Sequence, residues 1–151
     1  MMKKLFAMLL MVALCVGLVT VANAADSGSF VDSNNRQGYW ALDDAGVLTI
    51  SGNANIPSQS TAPYTVYRPN IKFISSKDGV QTINTDAFSE YNALRSIIIP
   101  DSVNTIYHGI FNYCYNLVSV VYHGTEEPQK VASDFYRNAL TQGLVYHEES
   151  K

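Results

Sequence analysis

Cysteine is almost missing from this 151-residue chain, which has only Cys15 and Cys114. No C-x-x-C pair exists to carry redox or metal chemistry. G-x-S-x-G, H-E-x-x-H and the P-loop are missing too, so no sequence motif marks a hydrolase, a metalloprotease or a phosphate-binding enzyme. The three histidines each follow a tyrosine: Tyr107-His108, Tyr122-His123 and Tyr146-His147. Were His123 and His147 on neighbouring strands, two imidazoles would stand about 4.8 Å apart. Zinc normally takes three or four protein ligands, so they read as solvated rim residues, and no metal, cofactor or catalytic residue is expected. The adjacent acids Asp43/Asp44 and Glu126/Glu127 fit a turn and a helix start, and in a strand such neighbours face opposite ways. Basic excess is also lacking, with 10 Lys and Arg against 13 Asp and Glu. That balance argues against nucleic acid and anionic membranes as partners.

Residues 1–24 read as a signal peptide. Lys3 and Lys4 precede a nearly uninterrupted apolar run, and Ala22-Asn23-Ala24 is an A-x-A cleavage site. The rival reading is an uncleaved anchor, since the run is near the minimum spanning length. Cleavage after Ala24 removes two lysines and no acid, which leaves 8 basic against 13 acidic side chains and Cys114 alone. The mature chain is long enough for one domain, exported and without membrane insertion. Residues 25–38, rich in Ser, Asn, Asp and Gly, read as a flexible leader.

Residues 80–102 and 103–125 are two copies of a 23-residue unit. Val80/Val103, Thr82/Thr105, Ile83/Ile106, Phe88/Phe111, Leu94/Leu117 and Ser96/Ser119 are identical. A fixed period in this range marks a solenoid, whose units cannot bury their apolar faces alone. Leu94-x-x-Ile97-x-Ile99 and Leu117-x-x-Val120-x-Tyr122 each carry a short strand. Proline cannot donate to a ladder, so Pro100 ends the first. Residues 71–79 align one period back with 94–102 and form the strand half of an incomplete first repeat. Trp40-Ala41-Leu42 and Val47-Leu48-Thr49-Ile50 flank Asp43-Asp44-Ala45-Gly46, a hairpin signal. Residues 52–63 read as a loop.

The pattern resembles the BspA-like leucine-rich repeats of bacterial surface proteins, which follow I-x-x-x-A-F-x-x-C-x-x-L-x-x-I-x-I-P-x-S-V. The first repeat supplies Ile83, Ala87-Phe88, Leu94, Ile97, Ile99-Pro100 and Ser102-Val103, with Tyr91 in the cysteine position. The second supplies Ile106, Ile110-Phe111, Cys114, Leu117, Val120 and Tyr122. W-x-L-D-D-x-G-x-L-T-I-S-G from Trp40 and the Ala62-Pro63-Tyr64…Tyr67-Arg68 connector are also similar to family segments. The resemblance covers residues 39–147. It implies one right-handed, strand-dominated leucine-rich-repeat solenoid of the alpha-beta horseshoe type. Such a solenoid has an N-terminal β-hairpin cap, two full repeats and a partial one. The domain spans 39–147, with a tail at 148–151. After Gly124 the period breaks. Residues 126–140 read as a helix and 144–147 as a last strand, a C-terminal helix–strand cap.

Two interior residues keep two readings each. Cys114 is a buried thiol, as the resemblance implies, or a reactive or bridging one. Trp40 is a capping core residue or a platform for stacking sugar. Outside, the residues between the inward positions stack into columns: Lys72, Arg95, Val118; Phe73, Ser96, Ser119; and Ser75, Ile98, Val121, continuing to Val145. The apolar stripe of Ile98, Val121 and Val145, flanked by Arg95 and Phe73, is a candidate contact surface. The plainer reading is that β-branched residues merely suit strands. The turn tyrosines, Tyr113 above all, are the second candidate. The resemblance implies a secreted or surface-associated, non-catalytic adhesion module. Its partner would be a protein or glycan on a host or bacterial surface. The alternative is a structural or self-associating repeat protein with no ligand of its own.

Overall fold

A computed structural model describes residues 24–124 and, beyond them, the backbone of Lys130–Val131. Three antiparallel strands open it: β1 (Ala24–Val31), β2 (Gln37–Asp43) and β3 (Val47–Gly52). Asp43 makes the β2–β3 turn. Its carbonyl accepts the Gly46 N–H at 3.1 Å and its carboxylate accepts the Val47 N–H at 2.8 Å. Gly46 has φ +87, and a Cβ there would lie 2.5 Å from the Asn70 carbonyl oxygen, so only glycine fits.

β3 then changes partner type. Its other edge pairs in parallel with β4 (Phe73–Ser76), which is followed by β6 (Ser96–Ile99) and β8 (Ser119–Tyr122). Phe73 faces Ser96 and Ser96 faces Ser119, so each rung advances by the 23 residues of the repeat. A second, narrower sheet forms across the core from β5 (Thr82–Ile83), β7 (Thr105–Ile106) and β9 (Lys130–Val131). Thr105 pairs with Lys130 rather than with a residue 23 further on, which is where the period breaks.

Between the sheets each coil closes through turns. Asp86 donates its N–H to the His108 carbonyl at 3.1 Å, Phe88 to Ile110 at 3.1 Å and Glu90 to Asn112 at 2.8 Å. Asp86 (φ 55) and Gly109 (φ 75) are left-handed at equivalent positions, as are Glu90 (φ 63) and Tyr113 (φ 61). Two left-handed residues four apart do not fit a right-handed helix. Among the described residues the helical element is a short 3-10 helix, Thr65–Asn70. The solenoid is therefore strand-dominated with little helix, of about three turns.

The core runs down the middle. Val80, Ile83, Ala87, Phe88, Tyr91, Leu94, Ile97 and Ile99 are fully buried in the first full coil. Val103, Ile106, Ile110, Phe111, Cys114, Leu117, Val120 and Tyr122 are buried at the matching positions of the second. Each large apolar side chain removed from water contributes about 1.5–3 kcal/mol. Polar clamps tie coil to coil. The Ser102 hydroxyl accepts the Gly79 N–H at 3.1 Å and donates to the Val80 carbonyl at 2.8 Å.

Three readings of the sequence are corrected here, and the two open for Trp40 are reduced to one. Residues 25–38 are no flexible leader: 25–31 lie in β1, and 37–38 begin β2. Phe30 packs edge-on against Tyr64 at 6.4 Å, and Gly28 lies against the Trp40 indole. The linking turn is held by Asp32, whose carboxylate accepts the N–H groups of Asn34, Arg36 and Asn55 at 2.9–3.0 Å. The Arg36 guanidinium lies 2.8 Å from the same carboxylate. Residues 52–63 are not all loop, because Ile56 is buried and bridges to Ile83 as a further rung of the second sheet. Lys130–Val131 falls in β9, where the sequence suggested helix. Trp40 is 7% exposed, with ring centroids 6.1 Å from Tyr64 and 5.6 Å from Tyr67, so it caps the core and offers no stacking face. The expected signal peptide through Asn23, the 132–140 part of the expected helix and the strand at 144–147 lie outside the described residues.

Candidate binding face

The broad sheet presents one face to the core and one outward, because successive strand side chains alternate. Leu48, Ile74, Ile97 and Val120 point in. The three outward columns then follow from register. Phe73, Ser96 and Ser119 are directly opposed, as are Ser75, Ile98 and Val121. The backbones of Lys72, Arg95 and Val118 form the third, with the Arg95 N–H donating to the Lys72 carbonyl at 2.8 Å and the Val118 N–H to the Arg95 carbonyl at 2.9 Å.

β3 extends the face. Val47 heads the Phe73 column and Thr49 heads the Ser75 column. The alternation in Val47-Leu48-Thr49-Ile50 carries this signal, but only once β3 is known to pair with β4. Exposure then ranks the face. Val118 is 64% exposed and Phe73 42%. Ser96, Ile98, Ser119 and Val121 are half-buried. Ile98 and Val121 thus form a partly covered stripe, and the bare apolar groups Phe73 and Val118 lie in the two columns to one side of it. Lys72 and Arg95 are exposed beside them. Among the described residues neither pairs with a carboxylate. Val145 lies outside the described residues.

Tyr113 belongs elsewhere. It sits on the turn side, 60% exposed, with its ring 6.2 Å from that of Tyr115, which is 74% exposed. The fold separates these tyrosines from the sheet face, so the sequence candidates divide into two surfaces. On the same side Arg68 reaches Glu90 at 3.2 Å.

The ionisable groups in the core are set for packing. Burial pushes the Cys114 thiol up to about 11, and its Sγ donates to the Phe88 carbonyl at 3.0 Å. Cys114 is closed inside the coil, which favours the buried reading. Burial likewise pushes Tyr91 up to about 12 and raises Tyr64 well above the usual phenol range. At Asp32 burial acts upward, but the surrounding N–H donors and the Arg36 guanidinium outweigh it and hold the carboxyl well below its ordinary value. His108 and His123 are both exposed. Among the described residues no three His, Cys, Asp or Glu side chains gather around a point. No described helix is long and apolar enough to cross a membrane.

A parallel sheet rising one 23-residue coil per rung, with a second sheet closing each coil, defines a leucine-rich-repeat solenoid. The family model described as a BspA type leucine-rich repeat region (6 copies) matches residues 59–139, and the chain belongs to that family. Among solved structures, a leucine-rich repeat protein from Eubacterium ventriosum ATCC 27560 has a similar fold, with a TM-score of 0.50 and 23% sequence identity over 70% of this chain. The chain covers 28% of that protein's length. No curated protein sequence matches it.

Proposed function

We propose that the protein is a non-catalytic binding module, exported by a signal segment cleaved after Ala24, whose outward sheet face contacts a protein partner at another surface. The observation that carries this reading is the composition of the face. Phe73 and Val118 stand exposed beside the cations Lys72 and Arg95, and all four belong to adjacent columns of one rigid sheet. Apolar groups bordered by unpaired cations suit a protein surface with apolar contacts and an acidic rim. Regular sheet faces of repeat arrays are used in this way.

The test uses two double variants. Phe73→Ser with Val118→Ser removes the exposed groups, and Ile98→Thr with Val121→Thr removes the shaded stripe while keeping β-branched propensity. Both should melt close to the parent, and both should lose capture of an extracellular protein bound by the parent. The mass of the parent in solution is measured alongside. A dimer broken by the same variants makes a second copy of this chain the partner, whereas unchanged capture with intact folding removes the sheet face from the reading.

A further inference from the structure

A cavity of about 500 Å³ opens on the turn side, where the loop after β1, residues 55–61 and the turn after β5 converge. Its volume falls within the roughly 300–1,000 Å³ of small-molecule sites. The lining mixes polar and apolar surface, and Asp32 is its one charged side chain. It carries the amides of Asn55 and Asn84, the hydroxyls of Ser33 and Thr85, the carboxylate of Asp32 and the ring of Pro57. Asp32 is already matched by Arg36, and Arg36 also donates to Gln81 at 3.0 Å. No lysine or arginine lines the cavity, which disfavours phosphate, sulfate or acidic sugars.

Two further observations point to the occupant. Asn55 Oδ1 is screened from solvent and has no hydrogen-bond partner among the described residues. Such an acceptor is costly until a donor reaches it, and the soft amide torsion of asparagine lets it turn toward one. The second is the register of the narrow sheet. Ile56, Ile83 and Ile106 are stacked, so the residues after them, Pro57, Asn84 and Tyr107, form the next column. Two of these line the cavity, and Tyr107 stands one rung further, about 4.8 Å along the stack, 48% exposed.

We propose that this cavity, together with Tyr107, binds a neutral oligosaccharide, one sugar ring seated among the amides and hydroxyls and its neighbour stacked on the tyrosine. Sugar hydroxyls supply the donor that Asn55 Oδ1 lacks, and the apolar C–H face of a pyranose suits an exposed aromatic ring. The site is on the opposite side of the coil from the sheet face and does not depend on it.

Titration of the ¹⁵N-labelled protein with maltohexaose, cellohexaose and chitohexaose tests the proposal by NMR. At least one of the three should shift the side-chain amides of Asn55 and Asn84 and the backbone amides of Thr85 and Tyr107, with Kd on the order of 1 mM. Tyr107→Ala, which removes an exposed ring, should keep the fold and weaken that binding about tenfold, and Asn55→Ala should weaken it by a similar factor. Ile98→Thr with Val121→Thr should leave it unchanged. The proposal is overturned if none of the three sugars shifts these resonances at about 20 mM. It is also overturned if the shifts centre on Tyr113 and Tyr115, if both cavity variants bind as the parent does, or if a heparin hexasaccharide or a peptide occupies the cavity in their place.

Discussion

The two full coils are built on the same interior and wear different exteriors. Each buried hydrophobic residue of the first full coil, from Val80 to Ile99, has an apolar counterpart 23 residues later, including the exchange of Tyr91 for Cys114. On the turn side the exchanges go the other way. Asn84, Glu90 and Asn92 in the first coil become Tyr107, Tyr113 and Tyr115 in the second, and all three tyrosines are exposed. Burial constrains the inner columns, because a misfit there is felt at once in a close-packed core. The outer columns are free to change, and here they change toward large amphipathic rings, which suit contact surfaces. The coils therefore share a scaffold and differ in what they offer a partner.

The sharpest way to break this comparison is to empty matching interior positions. Phe88→Ala should cost about 3–5 kcal/mol in chemical denaturation, the range for buried aromatics, and Phe111→Ala should fall in the same range. Phe88 is fully shielded and Phe111 is 4% exposed, so Phe88→Ala should be the more damaging. A loss under about 1 kcal/mol at either site would mean that the coils are not equivalent inside.

Asp32 provides the next effect, in the region where the β1–β2 loop docks on the coils. Its carboxyl titrates lower in the folded chain than in the unfolded one. The stability it adds is thus complete above the unfolded value, about 3.9, and is lost as pH falls toward the folded one. Asp32→Asn should remove about 1–3 kcal/mol at pH 7, as expected when several donors lose a charged acceptor. It should also flatten the acid limb below about pH 4 in urea melts taken at successive pH values. An unchanged acid limb would separate this loop from the cooperative fold.

Cys114 distinguishes the coil interiors chemically. With the thiol raised to about 11 and 1% exposed, it should react with a thiol reagent at pH 8 only as fast as the protein unfolds. Prompt labelling in the native state would place it outside the core. The smallest effect is expected at the left-handed turn positions. Tyr113→Gly and Glu90→Gly should each change stability by zero to about 1 kcal/mol in the stabilising direction, since glycine accepts positive φ without strain. Thermal melts of the pair should agree; a loss at only one would show that its side chain contributes packing.

The interior was legible in the sequence because burial imposes a period that two copies make visible. The outward columns followed, since alternation leaves no choice once the inward residues are known. Four features stayed hidden for local reasons. β1 has Phe30 as its one aromatic anchor among small polar residues, so its alternation resembles a linker. Ile56 enters the second sheet through a single bridge, too short to leave a pattern. The left-handed turns at Glu90 and Tyr113 use residues that do not advertise positive φ, and Asp86 alone did not tell the convex side from helix. The cavity depends on three loops far apart in sequence, and no motif spans them.

β3 has one antiparallel and one parallel neighbour, and this has a consequence for the history of such chains. The hairpin template meets the array at a single rung, and every later rung sees only the coil before it. A duplication of 23 residues between β6 and β8 would present the same edge to the same neighbour, so the protein could grow or shrink by whole coils without rebuilding its beginning. The contacts of each new coil would also stay about one repeat apart along the chain, so lengthening would add little to the entropic cost of closing any one of them.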